Sequence, residues 1–148
     1  MRRQPDSTPG FFRRFAAACY DSLLLLAIWF LATALILPLN GGNAFEPGQY
    51  LYSGYLFLVS AAFFIGFWTF GGQTLGLRAW KMRIYRFDGG KVCWKLASLR
   101  FLAACLSFAC LGLGFLWCLI DKNRLCWHDY LSGTSPCLID REKPADML

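Results

Sequence analysis

A chain of 148 residues that is 57% hydrophobic, 18% aromatic and only 16% charged is not an ordinary soluble domain, in which about a quarter of residues carry charge. Its net charge of +6 does not mark a nucleic-acid binder, because the basic residues cluster beside apolar segments and no RNA- or DNA-binding motif accompanies them. Length and composition point instead to one all-α integral membrane domain with the lipid bilayer as its partner.

Residues 1–9 are polar and hold two prolines, which predicts a flexible cytoplasmic arm, with Ser7 or Thr8 placed to cap the helix that follows. Residues 12–37 predict the first span. From Phe15 to Leu37 about 23 residues are apolar or small apart from Asp21 and a few weakly polar side chains, about 35 Å of helix against a hydrocarbon core of about 30 Å. A signal peptide has an apolar run of roughly 7–15 residues, so this one is too long, and it carries Asp21. Arg13 and Arg14 stand at its mouth, and Asp21 follows Arg14 by two turns on the same face. A carboxylate in a membrane helix costs about 2.5 kcal/mol or more, less near the interface. Asp21 therefore reads as an ion or proton site, or as the structural partner of a base. Arg14 lies about 10 Å away along the axis, so direct pairing would stretch both side chains.

Residues 39–49 are rich in Gly, Asn and Pro and hold no Lys or Arg, as expected of a non-cytoplasmic loop. Residues 50–70 form an uncharged second span with aromatic residues at both ends: Tyr50, Tyr52 and Tyr55, then Phe67, Trp68 and Phe70. Ala62 and Gly66 offer a seam along which another helix could approach closely. Residues 71–100 are cytoplasmic by charge, with Arg78, Lys81, Arg83, Arg86, Lys91, Lys95 and Arg100 against Asp88 alone. Gly71 and Gly76 have the spacing of a phosphate loop, but Leu77-Arg78 replaces Lys-Ser/Thr and an apolar helix precedes it instead of a strand. Gly71, Gly72, Gln73, Thr74 and Gly76 therefore read as a glycine turn that stops the helix. Alternation on either side of Asp88-Gly89-Gly90 predicts a small cytoplasmic β-hairpin near residues 80–94.

The third hydrophobic segment, residues 98–120, is interrupted by Gly112 and Gly114 and flanked by bases on both sides. A full crossing would put the C-terminus outside, whereas the flanking bases favour the cytoplasm at both ends. The segment is therefore either a full span or a re-entrant pair bent at the two glycines, with arms too short to cross. In the re-entrant case residues 137–139 can add a strand to the hairpin. His128-Asp129 could relay protons, yet no serine or cysteine is placed to make it a hydrolase, so no catalytic residue is expected and the chain is not read as an enzyme. Residues 141–148 form a charged tail. The cysteines (Cys19, Cys93, Cys105, Cys110, Cys118, Cys126 and Cys137) show no C-x-x-C pattern and there is one histidine, which favours buried thiols over a metal or redox site; no metal or cofactor is expected.

Three pieces, in this order and spacing, resemble the RDD family of multi-pass membrane proteins: Arg14 and Asp21 in the first helix, Gly71-Gly72-Gln73-Thr74-Leu75-Gly76 after the second, and His128-Asp129 through Gly133-Thr134 near the end. The resemblance covers residues 10–140, with Asp129 standing as the second aspartate. Leu77 stands where the family often has lysine, with Arg78 beside it, and Arg13 is an alternative to Arg14. The resemblance implies a bacterial-type inner-membrane protein and a transport role, with sodium/proton exchange suggested for some members. On this reading Arg14, Asp21 and Asp129 form a charge trio near the cytoplasmic interface, with Arg13 and His128 secondary and Asp21 the titrating or cation-binding group. Three segments cannot enclose a pathway, so transport of ions or small solutes implies an oligomer, packed through Ala62/Gly66 or Ala103/Ser107. The alternative is a non-transporting scaffold or assembly module for other membrane proteins, with the trio as a structural clasp. A clasp should tolerate a swap of charges, whereas a titrating site should not tolerate Asp21→Asn.

Overall fold

The computed structural model describes residues 8–46 and 49–139; most of the N-terminal arm and the charged tail lie outside them. Helix α1 covers Phe11–Ile36 and ends in a single 3-10 turn, Leu37–Asn40. Helix α2 covers Tyr50–Phe70. At 1.5 Å per residue these helices measure about 39 and about 32 Å, long enough to cross a bilayer. Both are apolar around their whole circumference, and in α1 only Ala17, Asp21 and Ala32 are buried. Leu23, Phe30 and Leu35 are 69%, 72% and 69% exposed and uncovered by the rest of the described chain, as suits helices long and apolar enough to cross a membrane. Polar groups within this apolar pair find each other across it. Trp29 Nε1 donates to Ser60 Oγ at 2.9 Å, the Thr33 and Tyr52 hydroxyls meet at 2.8 Å, and Tyr55 donates to the Ala32 carbonyl at 3.2 Å.

After α2, Gly72 takes a left-handed conformation (φ 65°), and a short helix α3, Leu75–Ala79, starts at Thr74. Strand β1, Met82–Arg86, follows. The expected hairpin differs from the observed one. Residues 87–93 form a turn with no second strand, and Val92 is drawn into a core with Trp68, Ile84, Ala97 and Phe101. The partner of β1 is β2, Thr134–Leu138, in antiparallel register from Met82↔Leu138 to Arg86↔Thr134. That is the C-terminal strand addition expected of a re-entrant third segment.

The third segment is α4, Trp94–Ala109, and α5, Leu113–Ile120, meeting at a 95° bend. Leu111 and Gly112 carry the break with φ of 56° and 79°. At about 24 and about 12 Å, neither arm spans a hydrocarbon core of about 30 Å. Helix α5 folds back onto α4: a Cβ at Gly114 would sit 2.1 Å from Ser107 Oγ, so only glycine fits. Ala103 and Ser107 are therefore buried inside the chain and are not an oligomer face, contrary to the expectation from their spacing. Helix α6, Trp127–Ser132, then packs against α4 and α5, with the His128 ring 4.8 Å from that of Phe115. Because β2 pairs with β1 and Asp129 pairs with Arg14, the chain leaves and returns at the same end of the α1–α2 pair. This return to one end is the geometry expected of the re-entrant alternative, with two helices long enough to span and a bent third segment.

Candidate functional site

Asp129 lies in the first turn of α6 and is 0% exposed. Its Oδ2 accepts the Cys126 backbone N–H at 3.0 Å and Arg14 Nη1 at 2.7 Å. Arg100 Nη2, from α4, lies 2.7 Å from Oδ1. One carboxylate thus ties together α1, α4 and α6. Arg100 is fixed in turn: Nη1 donates to Thr134 Oγ1 at 2.7 Å, the guanidinium sits 5.4 Å from the centre of the Trp68 ring, and Thr134 and Ser132 share a 2.6 Å hydroxyl contact. Arg14 and Asp129 stand out in the sequence as members of a charge trio, whereas Arg100 does not. The available signal was a guanidinium near the start of an apolar segment, where burial demands a partner.

Burial pushes the Asp129 carboxyl up, but Arg100, His128, Arg14 and the Cys126 amide outweigh it and hold the group at about 2. His128 moves the other way: burial, then Arg100 and Arg14, push it down to about 3 against the pull of Asp129, so the imidazole is neutral at pH 7. Cys126, His128 and Asp129 offer three donors within 4.8 Å of one another. They do not suit a metal ion, since two guanidiniums occupy the carboxylate and burial, followed by Asp129, pushes the Cys126 thiol pKa far up, away from the thiolate a metal needs.

Asp21 takes different partners. The Thr74 hydroxyl donates to its Oδ2, and the Gly76 N–H donates to Oδ1 at 2.8 Å. Gly76 must be glycine here, because a Cβ would stand 2.3 Å from the Ala17 carbonyl oxygen and 2.8 Å from the Asp21 carboxyl. The glycine turn therefore does more than end α2: it docks on α1 and holds Asp21. Gly71 contributes its carbonyl to Arg83 Nε at 3.0 Å, and Gly72 its carbonyl to Ile84 N at 2.7 Å, which ties the turn to β1.

Among the described residues no basic nitrogen lies within 4 Å of Asp21. Arg14 is turned to Asp129, while Arg13 is exposed and makes no ion pair among the described residues. Asp21 nevertheless opens on the same cleft as Arg14, Arg100 and His128, a space of about 130 Å³ also lined by Trp68 and Thr74. Arg14 Nη2, Arg100 Nε and His128 Nδ1 are buried without a hydrogen-bond partner among the described residues. Most of the cleft wall is apolar, with these polar atoms set into it, and its volume is well above the roughly 10–15 Å³ that one water requires. The expected trio is thus split: Arg14 and Asp129 are bonded, whereas Asp21 shares a cleft with Arg14 but not with Asp129.

The sequence model of the RDD family matches residues 8–133. Comparison with curated proteins and with solved structures finds no match.

Proposed function

The chain belongs to the RDD family of membrane proteins, and from that premise we propose that it moves protons or small cations across the bacterial-type inner membrane, with Asp21 as the exchanging group. The supporting observation is Asp21 itself. A carboxylate buried in a spanning helix, held by Thr74 and Gly76, with no basic nitrogen within 4 Å among the described residues, opens on a mostly apolar cleft that Arg14, Arg100 and His128 also line. Ionisable groups retained at such depth are expensive, and a proton or cation is the counter-charge that completes this one. Arg14 and Arg100 line the same cleft, and their charge opposes lasting occupancy by a cation, which favours release. The seven bases of residues 71–100 against Asp88 alone support a cytoplasmic placement of this end, with both termini on that side. Two spans and a re-entrant pair do not enclose a pathway, so transport takes place in an oligomer. No catalytic step is assigned to His128-Asp129.

The scaffold reading keeps one specific observation in its favour: Asp129, wholly buried and held by two arginines, has the form of a clasp. Both readings hold together if Asp129 secures the fold and Asp21 exchanges ions. The test is flux in proteoliposomes carrying the full chain and an internal pH dye, under imposed sodium or potassium gradients. Gradient-driven proton movement that is lost in Asp21→Asn, at unchanged melting temperature, is the expected result. Equal flux in the two proteins, or none in the correctly folded parent, would leave the scaffold reading.

A further inference from the structure

A second concavity runs along α2 and the turn after it, meeting the first at Thr74. It is a groove of about 460 Å³ whose lining includes Ala62, Gly66, Phe67, Phe70, Gln73 and Arg78. We propose that this groove holds one anionic glycerophospholipid, its acyl chain against Gly66 and its phosphate at Arg78.

The groove has the polarity profile of an amphiphile. From Ala62 to Phe70 it runs about 12 Å down α2, through the apolar part of the span. Its hollow comes from Gly66, where an added Cβ would meet nothing within 4 Å. The other end lies past the terminus of α2, at the level where lipid headgroups sit. There Arg78 is exposed, with no ion pair among the described residues. Gln73 beside it has a buried Oε1 without a hydrogen-bond partner among the described residues, an acceptor that a headgroup hydroxyl, and not the phosphate, can satisfy. An apolar slot with a basic mouth at the interface is complementary to an acyl chain and an anionic phosphate ester, and the Gln73 acceptor to a headgroup hydroxyl.

A second copy is the competing occupant, because Ala62 and Gly66 are small. Charge argues against it. Copies inserted in the same orientation would pair about a two-fold axis along the membrane normal, and packing both α2 seams together would bring the two Arg78 side chains to one level on facing surfaces. A lipid phosphate removes that repulsion, whereas a second copy creates it.

Native mass spectrometry of the full chain in detergent, with equimolar phosphatidylglycerol and phosphatidylcholine, tests the assignment. The expected result is one retained phosphatidylglycerol per chain, preferred about fivefold, as one basic group at an anionic surface supplies. Arg78→Gln should bring the preference to about one, and Gly66→Leu should remove the retained lipid by filling the slot. Equal retention of the two lipids by the parent, or full retention by Gly66→Leu, overturns the proposal. So does a Gly66→Leu protein that dissociates to single chains with its lipid unchanged, which assigns the groove to a second copy. Should Gly66→Leu fail to fold, the lipid preference of Arg78→Gln decides alone.

Discussion

Asp129→Asn is the substitution whose consequence the structure defines best. The native cluster holds two guanidiniums and one carboxylate, and the two arginine side chains are only 11% and 5% exposed. Removing one partner of a buried ion pair costs about 3–5 kcal/mol, chiefly because an uncompensated charge is left inside. Here two are left, so the upper end of that range is expected, a large share of a total stability of about 5–15 kcal/mol. Arg14→Met removes a charge from the same pair but leaves Arg100 and Asp129 balanced and the Cys126 N–H still bonded. Its loss should be nearer about 1.5–3 kcal/mol, that of a hydrogen bond to a charged group. The double variant Arg14→Met/Asp129→Asn should be more stable than Asp129→Asn alone, since one of the two stranded charges is gone. Thermal unfolding of the purified chain in micelles, followed by fluorescence of its 6 tryptophans, gives the ranking. A melting temperature lowered as far by Arg14→Met as by Asp129→Asn, or a double variant no better than Asp129→Asn, would refute the clasp. Exchanging the charges of positions 14 and 129 is not a fair test of a clasp, because it sets a second cation against Arg100.

Two further outcomes follow from the geometry. His128 is buried neutral at about 3 against an ordinary 6.5, so the unfolded chain takes up its proton first as pH falls. Stability should be full above pH 6.5 and decline on the way toward 3, whereas the Asp129 contribution, with its carboxyl at about 2, fades only below 3.8. Melts at pH 7 and pH 5 should therefore differ in the parent and agree in His128→Leu. Equal parent melts, or an imidazole resonance titrating near its ordinary value, would contradict the buried neutral ring. Reporter fusions at the two ends should report the same side of the membrane, and opposite sides would be incompatible with β1–β2 pairing.

Both spans were legible in the chain itself, because bilayer thickness converts directly into a length of uninterrupted apolar helix, and residues 11–36 and 50–70 meet it. The residues in conflict with that environment were also visible: Asp21 in the first span, and His128-Asp129 beyond the third segment. Their partners were not. Arg14 and Asp129 stand 115 residues apart, and Thr74 and Asp21 stand 53 apart. Local pattern shows that a buried charge needs compensation, and packing chooses which group provides it. The same holds for the third segment. Its hydropathy and flanking bases suit a span and a re-entrant pair alike, and what separates them is the fit of Gly114 on Ser107 together with β1–β2 pairing across about 50 residues of chain. Composition and periodicity determined the medium in which this protein lives. Long-range contacts at one end of the helices decided where its charges go, because those contacts depend on the whole path of the chain.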